Sequence, residues 1–244
     1  MHFFLIFGMI FFLCIGNDTT SANQWKIGNF SDLTPGTNLP DPWEPMTFKN
    51  IDRHTSYTLI KDNDQTIIRA HSQNSASGLI HPLRVNPTEY PVIKWHWKID
   101  HVLEKGNVTA KQGDDYAARI YVAFAFDPDS AGWWERARHK SASLFSGKEV
   151  PGTALNYIWA NKASIGKIVP NPYAEEAMMV VLQSGNEASG RWITEERNIP
   201  EDYRRAFGKN PPDIIGIGIM TDTDDTGGET TGFYGDITLL PLPD

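Results

Sequence analysis

A single cysteine, Cys14, occurs in 244 residues, and it falls in an apolar leader. Beyond residue 22 the chain therefore carries no thiol. That excludes disulfides, cysteine nucleophiles and thiolate metal sites from the remainder. Positive charge is also short: 22 Lys and Arg face 30 Asp and Glu, for a net charge of −8. Nucleic-acid binding needs a basic face, so it is excluded as a role. No apolar run reaches the roughly 20 residues of a spanning helix. The histidines, among them His71, His81, His96, His101 and His139, show no H-x-H or H-E-x-x-H spacing. A zinc site is not indicated. The nucleophile elbow G-x-S-x-G is absent, and Ser75-Ala76-Ser77-Gly78 reads as a small-residue turn.

Apolar and aromatic content, by contrast, is ample. Forty per cent hydrophobic residues, with eight Trp, eight Tyr and twelve Phe, suffice for the core of one domain. The first 22 residues read as an export signal. Phe3 to Ile15 is apolar but too short to span a bilayer, and Thr20-Ser21-Ala22 offers small residues at a cleavage site. Leu13 stands before Cys14 where a lipidated leader would place a small residue. The expectation is a periplasmic or secreted domain, 23–244, with no stable membrane insertion after signal cleavage.

Candidate strands fall near 56–61, 66–72, 92–100, 115–126, 154–160, 177–184, 214–221 and 232–240, separated by turn residues. Without long intervening helices they predict an all-β, antiparallel, jelly-roll-like sandwich with one or two short helices in connections. One helix is predicted over Pro200–Phe207. Pro stands at its start, Glu201 and Asp202 in its first turn, Arg204 and Arg205 near its end, and Gly208 at its stop. A second is predicted within the long insert 128–152, over roughly 131–145. Trp133 and Trp134 in that insert are adjacent, so at least one is a candidate contact.

Strand alternation assigns faces. Over 115–126, Tyr116, Ala118, Ile120, Val122, Phe124 and Phe126 belong to the core face. Asp115, Ala117, Arg119 and Tyr121 occupy the other. A planar guanidinium beside a carboxylate and a phenol suits recognition of an acidic sugar, or else forms an internal ion pair. Trp95 and Trp97 share a face and read as core, with His96 opposite them as a candidate base. Arg197 and Asp202, with Asn198, Asp236 and Tyr234, are candidates for the same polar cluster.

Asp222, Asp224, Asp225 and Glu229 crowd one loop between the runs 214–221 and 232–240. Those runs read as neighbouring strands, so the loop is placed at a sheet edge. Counting from Asp222, Gly227 fits the sixth position of an EF-hand loop, but Phe233 stands at the twelfth where glutamate is needed. The preferred reading is a solvated acidic turn without cofactor, with these four residues as the ligands if Ca²⁺ is held.

Eight phrases in order carry a resemblance. They are SQNSASGLIHPL, YPVIKWHWKI, GDDYAARIYVAF, LNYIWA, NPYAEEAMMVV, ERNIPEDYRRAFG, IGIMTDTDDTG and YGDI. The chain resembles the exported bacterial family known as domain of unknown function 3047 over nearly its whole length past the leader. The resemblance implies one exported β-sandwich domain and no established activity. The insert 128–152 is an expansion on the family's pattern. Two functional classes are then expected, with a third beside them. The first is a binding domain for a carbohydrate or other cell-envelope ligand, built on Asp115, Arg119 and Tyr121. The second is a polysaccharide hydrolase with paired carboxylates, or a lyase with Arg119 as charge neutraliser. The third is a structural, partner-binding envelope protein.

Overall fold

The computed structural model describes residues 24–129, 132 and 149–242. The leader 1–22, most of the insert, its predicted helix and Trp133–Trp134 lie outside the described residues. Two sheets face each other. The first runs β11 (Ile193–Asn198), β6 (Val92–Ile99), β13 (Glu229–Leu240), β4 (Gln65–Gln73) and β3 (Ser56–Asp62). A short β1 (Trp25–Gly28) adds to the far end of β13. The second runs β2 (Glu44–Met46), β5 (Ala76–Val85), β12 (Ile214–Asp222), β7 (Arg119–Phe124), β8 (Thr153–Ala160), β10 (Ala177–Ser184) and β9 (Ile168–Pro170).

The all-β sandwich follows from the alternation in the sequence. Ile93, Trp95, Trp97 and Ile99 of β6 meet Leu155, Tyr157 and Trp159 of β8 across the core. Trp95 packs on Tyr157 with ring centroids 5.3 Å apart, and Trp97 lies 5.9 Å from Trp159. Ile120, Val122 and Phe124 of β7 and Ile217 and Ile219 of β12 complete the same layer. Large rings on the inner faces of both sheets hold the sandwich together by burying apolar area.

Four expectations are corrected. Strand β10 pairs with β8 in parallel, so the sandwich is not wholly antiparallel. The Ser75–Gly78 turn is instead the start of β5, a ten-residue strand. The chain changes sheet at Asn74 and Ser75, where Asn74 has φ 46°, a backbone state that asparagine tolerates. Third, β7 begins only at Arg119. A single 3₁₀ turn at Lys111–Gly113 and an irregular stretch precede it, so alternation does not extend back to Asp115. Ala117 enters the main core, while Tyr116 turns to the outside of the second sheet. Fourth, β12 and β13 are not neighbours. Strand β12 lies between β5 and β7, and β13 between β6 and β4, in opposite sheets.

Helix α1 (Ile199–Phe207) forms as predicted, one residue longer at its start. Asn198 caps it by accepting from the Glu201 amide at 2.9 Å, and Gly208 ends it at φ 71°.

Candidate binding site

Because β12 and β13 belong to opposite sheets, the acidic loop crosses one end of the sandwich. It is packed, not a solvated turn. The Thr223 amide donates to the Ser75 carbonyl at 2.9 Å, and the Thr223 and Ser72 hydroxyls lie 2.9 Å apart. Asp222 and Thr223 are buried. The second sheet crossing, at Asn74 and Ser75, thus braces the first.

Arg119, 2% exposed, sits beneath this loop. Its Nε donates to Asp222 Oδ1 at 2.9 Å, and its Nη2 donates to Asp222 Oδ2 and to the Asp114 carbonyl. Its Nη1 donates to the Tyr121 hydroxyl at 3.4 Å and lies 3.6 Å from Asp114 Oδ2. The guanidinium also stacks 4.3 Å from the centre of the Tyr116 ring. Burial alone would weaken its charge, but facing Asp222, Tyr121 and Asp114 hold Arg119 well above the ordinary arginine range. All three of its nitrogens are engaged within the chain. The residue expected to grip a ligand instead fixes the carboxylates around it. The Tyr121 phenol, pushed up to about 12 chiefly by burial, stays protonated at neutral pH.

Asp115 joins the acidic loop from the other side. Its Oδ1 accepts from the Asp225 amide at 3.3 Å and its Oδ2 from the Thr226 amide at 2.6 Å. One oxygen each of Asp115, Asp224 and Asp225 lie within 4.8 Å of one another. Asp225 also accepts from the Tyr173 hydroxyl at 2.5 Å. Asp114, 5% exposed, accepts from Asn171 Nδ2 at 2.8 Å, but its Oδ1 has no hydrogen-bond partner among the described residues. Nor does the buried Thr226 hydroxyl. Burial, then Asp115 and Asp225, push the Asp224 carboxyl up to about 6. Burial raises Asp225 too, against the Tyr173 hydrogen bond. Lysines reach only the rim. Lys111 Nζ lies 5.2 Å from the Tyr173 ring centre, and Lys105 Nζ donates to the Thr226 carbonyl at 3.5 Å.

Beside this centre opens a cleft of about 400 Å³. One wall, 104–109, is tied to the segment bearing Asp114 and Asp115, since the Asn107 amide donates to the Gly113 carbonyl at 2.7 Å. The other is the turn after β8, with Asn161, Lys162 and Lys167.

A model of one family, described as "Protein of unknown function (DUF3047)", matches residues 41–238. The chain belongs to that family. No curated protein matches it. The family match spans the whole acidic centre and the cleft.

Other sequence candidates stand apart in this family member. Glu229 lies at the exposed start of β13, 3.6 Å from His71 Nε2 and bonded by Gln73 Nε2 at 2.9 Å, and takes no part in the carboxylate group. Asp222 belongs to Arg119. His96 is on β6 of the opposite sheet, its ring 5.0 Å from that of Trp192, and burial lowers its pKa against Asp236. Arg197 and Asp202 form their own pair, Nε to Oδ2 at 2.9 Å, and the Tyr157 hydroxyl donates to the same Oδ2 at 3.1 Å. Asp236 holds Ser31, with 2.6 Å between its Oδ2 and the Ser31 hydroxyl. Tyr234 alone of that group reaches the centre: the Arg119 amide donates to its hydroxyl at 3.2 Å. Asn171, Tyr173 and Thr226 escaped sequence reading. No spacing marks them, because Asn171 and Tyr173 come from the β9–β10 connection and Thr226 from the β12–β13 loop, and the two meet only when the fold closes.

Proposed function

We propose that this chain is an exported binding domain for a carbohydrate of the cell envelope, and that a divalent cation, Ca²⁺ by its chemistry, organises the binding end. One observation carries the reading: Asp115, Asp224 and Asp225 present oxygens within 4.8 Å of one another, and the buried guanidinium nearby is already taken by Asp222. Ca²⁺ takes six to eight oxygens, drawn from carboxylates, carbonyls and water. Three carboxylates leave positions that vicinal sugar hydroxyls fill. The exposed Tyr173 ring beside Asp225 offers an apolar face for a sugar ring. The lyase alternative loses support, since Arg119 has its nitrogens engaged and Tyr121 stays protonated.

Calcium is expected to raise the melting temperature. A ligand at a hundred times its dissociation constant stabilises the folded state by about 2.7 kcal/mol. For a domain of this size that is on the order of 5–10 °C. Asp224→Asn should abolish most of the rise. The pH dependence follows from the raised Asp224 carboxyl. Its proton competes with the metal, so calcium affinity should fall steeply below about pH 6. In chelator, the folded form binds that proton more tightly than the unfolded chain does. The resulting stabilisation is full below the ordinary aspartate range, near pH 4, and is lost as pH rises through about 6. Above that, Asp224→Asn should match or exceed the wild type in chelator. A folded protein whose melting temperature ignores millimolar calcium would sink the cation reading. Release of reducing ends from a polysaccharide, lost in Asp224→Asn, would establish a hydrolase instead.

Export has its own test. Protein recovered from the periplasm or medium should begin at Asn23, and full-length protein found only in the cytosol would refute it.

A further inference from the structure

We infer that the cleft beside the acidic centre takes the anionic group of the ligand, so that the carbohydrate is an acidic one, bearing a carboxylate or a phosphate. The inference rests on the binding-domain reading and adds the ligand's class. In a chain of net charge −8, this cleft gathers Lys105, Lys162 and Lys167. Among the described residues, none of the three lies within 4 Å of a carboxylate oxygen, although Glu104 also lines the cleft. Lys105 makes one bond to the Thr226 carbonyl, at 3.5 Å, and so stands between the cleft and the carboxylate group.

The remaining lining suits a sugar. Asn161 spends its Nδ2 on the Glu104 carbonyl at 2.7 Å, and Asn107 its Oδ1 on the Thr109 amide at 3.0 Å. Those bonds brace the two walls and leave Asn161 Oδ1 and Asn107 Nδ2 for hydroxyls. A volume of about 400 Å³ lies within the range of small-ligand sites. Ammonium groups hold carboxylate or phosphate as point charges, without the bidentate geometry that arginine imposes. A cation at Asp115, Asp224 and Asp225 and lysines in the adjoining cleft would together grip a sugar that is polyhydroxylated at one end and anionic at the other.

Calorimetry with four probes tests this: a short oligouronate, a hexose phosphate, inorganic phosphate and a neutral oligosaccharide of matched length. Lys162 and Lys167, both exposed and on the wall away from the carboxylates, are changed together, Lys162→Glu with Lys167→Glu, which leaves the core and the carboxylates untouched. The wild type should bind at least one of the two anionic sugars at least tenfold more tightly than the neutral one. The double variant should lose that preference, and raised salt should weaken it. Which anionic probe wins distinguishes carboxylate from phosphate. Inorganic phosphate binding as tightly as the anionic sugars would mean a bare anion site and overturn the sugar claim. Equal binding of neutral and anionic sugars, binding of none of the probes, or an unaltered double variant would overturn the inference. The calcium-dependent melting shift should survive in the double variant. Its absence in the wild type would fail the cation reading alone.

Discussion

Arg119→Ala should cost about 3–5 kcal/mol of stability, the usual loss when one partner of a buried ion pair is removed. In a domain of this size the melting temperature should drop on the order of 10 °C or more. The reason is the charge left behind. Asp222, 2% exposed, would keep, among the described residues, only the Tyr116 amide, at 3.1 Å, as a donor to Oδ1. The Asp114 carbonyl would lose its donor, and Tyr116 its stacked cation. Asp222→Leu should be comparably damaging, because it strands the guanidinium. The double change Arg119→Met with Asp222→Leu should lose less than the two singles together, since it removes both charges at once. Urea unfolding of the four proteins measures this. A loss below about 1 kcal/mol for Arg119→Ala, at the level of an exposed ion pair, would mean that the pair is not structural. Arg119 would then return as a candidate for ligand recognition.

Gly232→Ala should be strongly destabilising, at about 3 kcal/mol, the upper end of ordinary overpacking. A Cβ at Gly232 would stand 2.3 Å from the Ala117 carbonyl oxygen and 2.5 Å from Thr221 Oγ1. Neither is the free end of a flexible chain. The Thr221 hydroxyl donates to that same Ala117 carbonyl at 2.9 Å and lies 2.9 Å from the Tyr234 hydroxyl. The methyl group would therefore push β13 away from the segment that leads into Arg119, and the calcium response should weaken with it. Gly216→Ala is the control. There a Cβ meets Ile80 Cδ1 at 3.0 Å, a side-chain end able to turn aside, so the cost should stay below about 1 kcal/mol. Equal melting temperatures for the two variants would refute the steric account.

Much of this molecule is legible in its local spacing. Period-two alternation of Ile93, Trp95, Trp97 and Ile99 named a buried face, and the structure buries all four. Pro200, the paired acids and Gly208 marked the one described α-helix almost to the residue. These are local signals, written in spacing that each short segment carries by itself. Asp115 and Arg119 read from the sequence as sharing one strand face, and the structure does not place them on one. Strand alternation was extended four residues too far, across the irregular stretch after Gly113. Asp115 and Arg119 do meet at one centre, but through the Asp222 loop and not along a shared strand face.

What the sequence determined by itself was the fold class, most of the core and the acidic character of one loop, because burial patterns and turn chemistry act over a few neighbouring residues. Only the tertiary structure decided that β12 and β13 lie in opposite sheets. That single choice carries the loop from a sheet edge to the end of the sandwich. It buries Asp222 against Arg119 and leaves Asp224 and Asp225 facing Asp115, with Tyr173 beside them. Pairing between distant strands depends on how two whole sheets stack, and no local spacing records it. The grouping of carboxylates and lysines at that end is a consequence of the stacking.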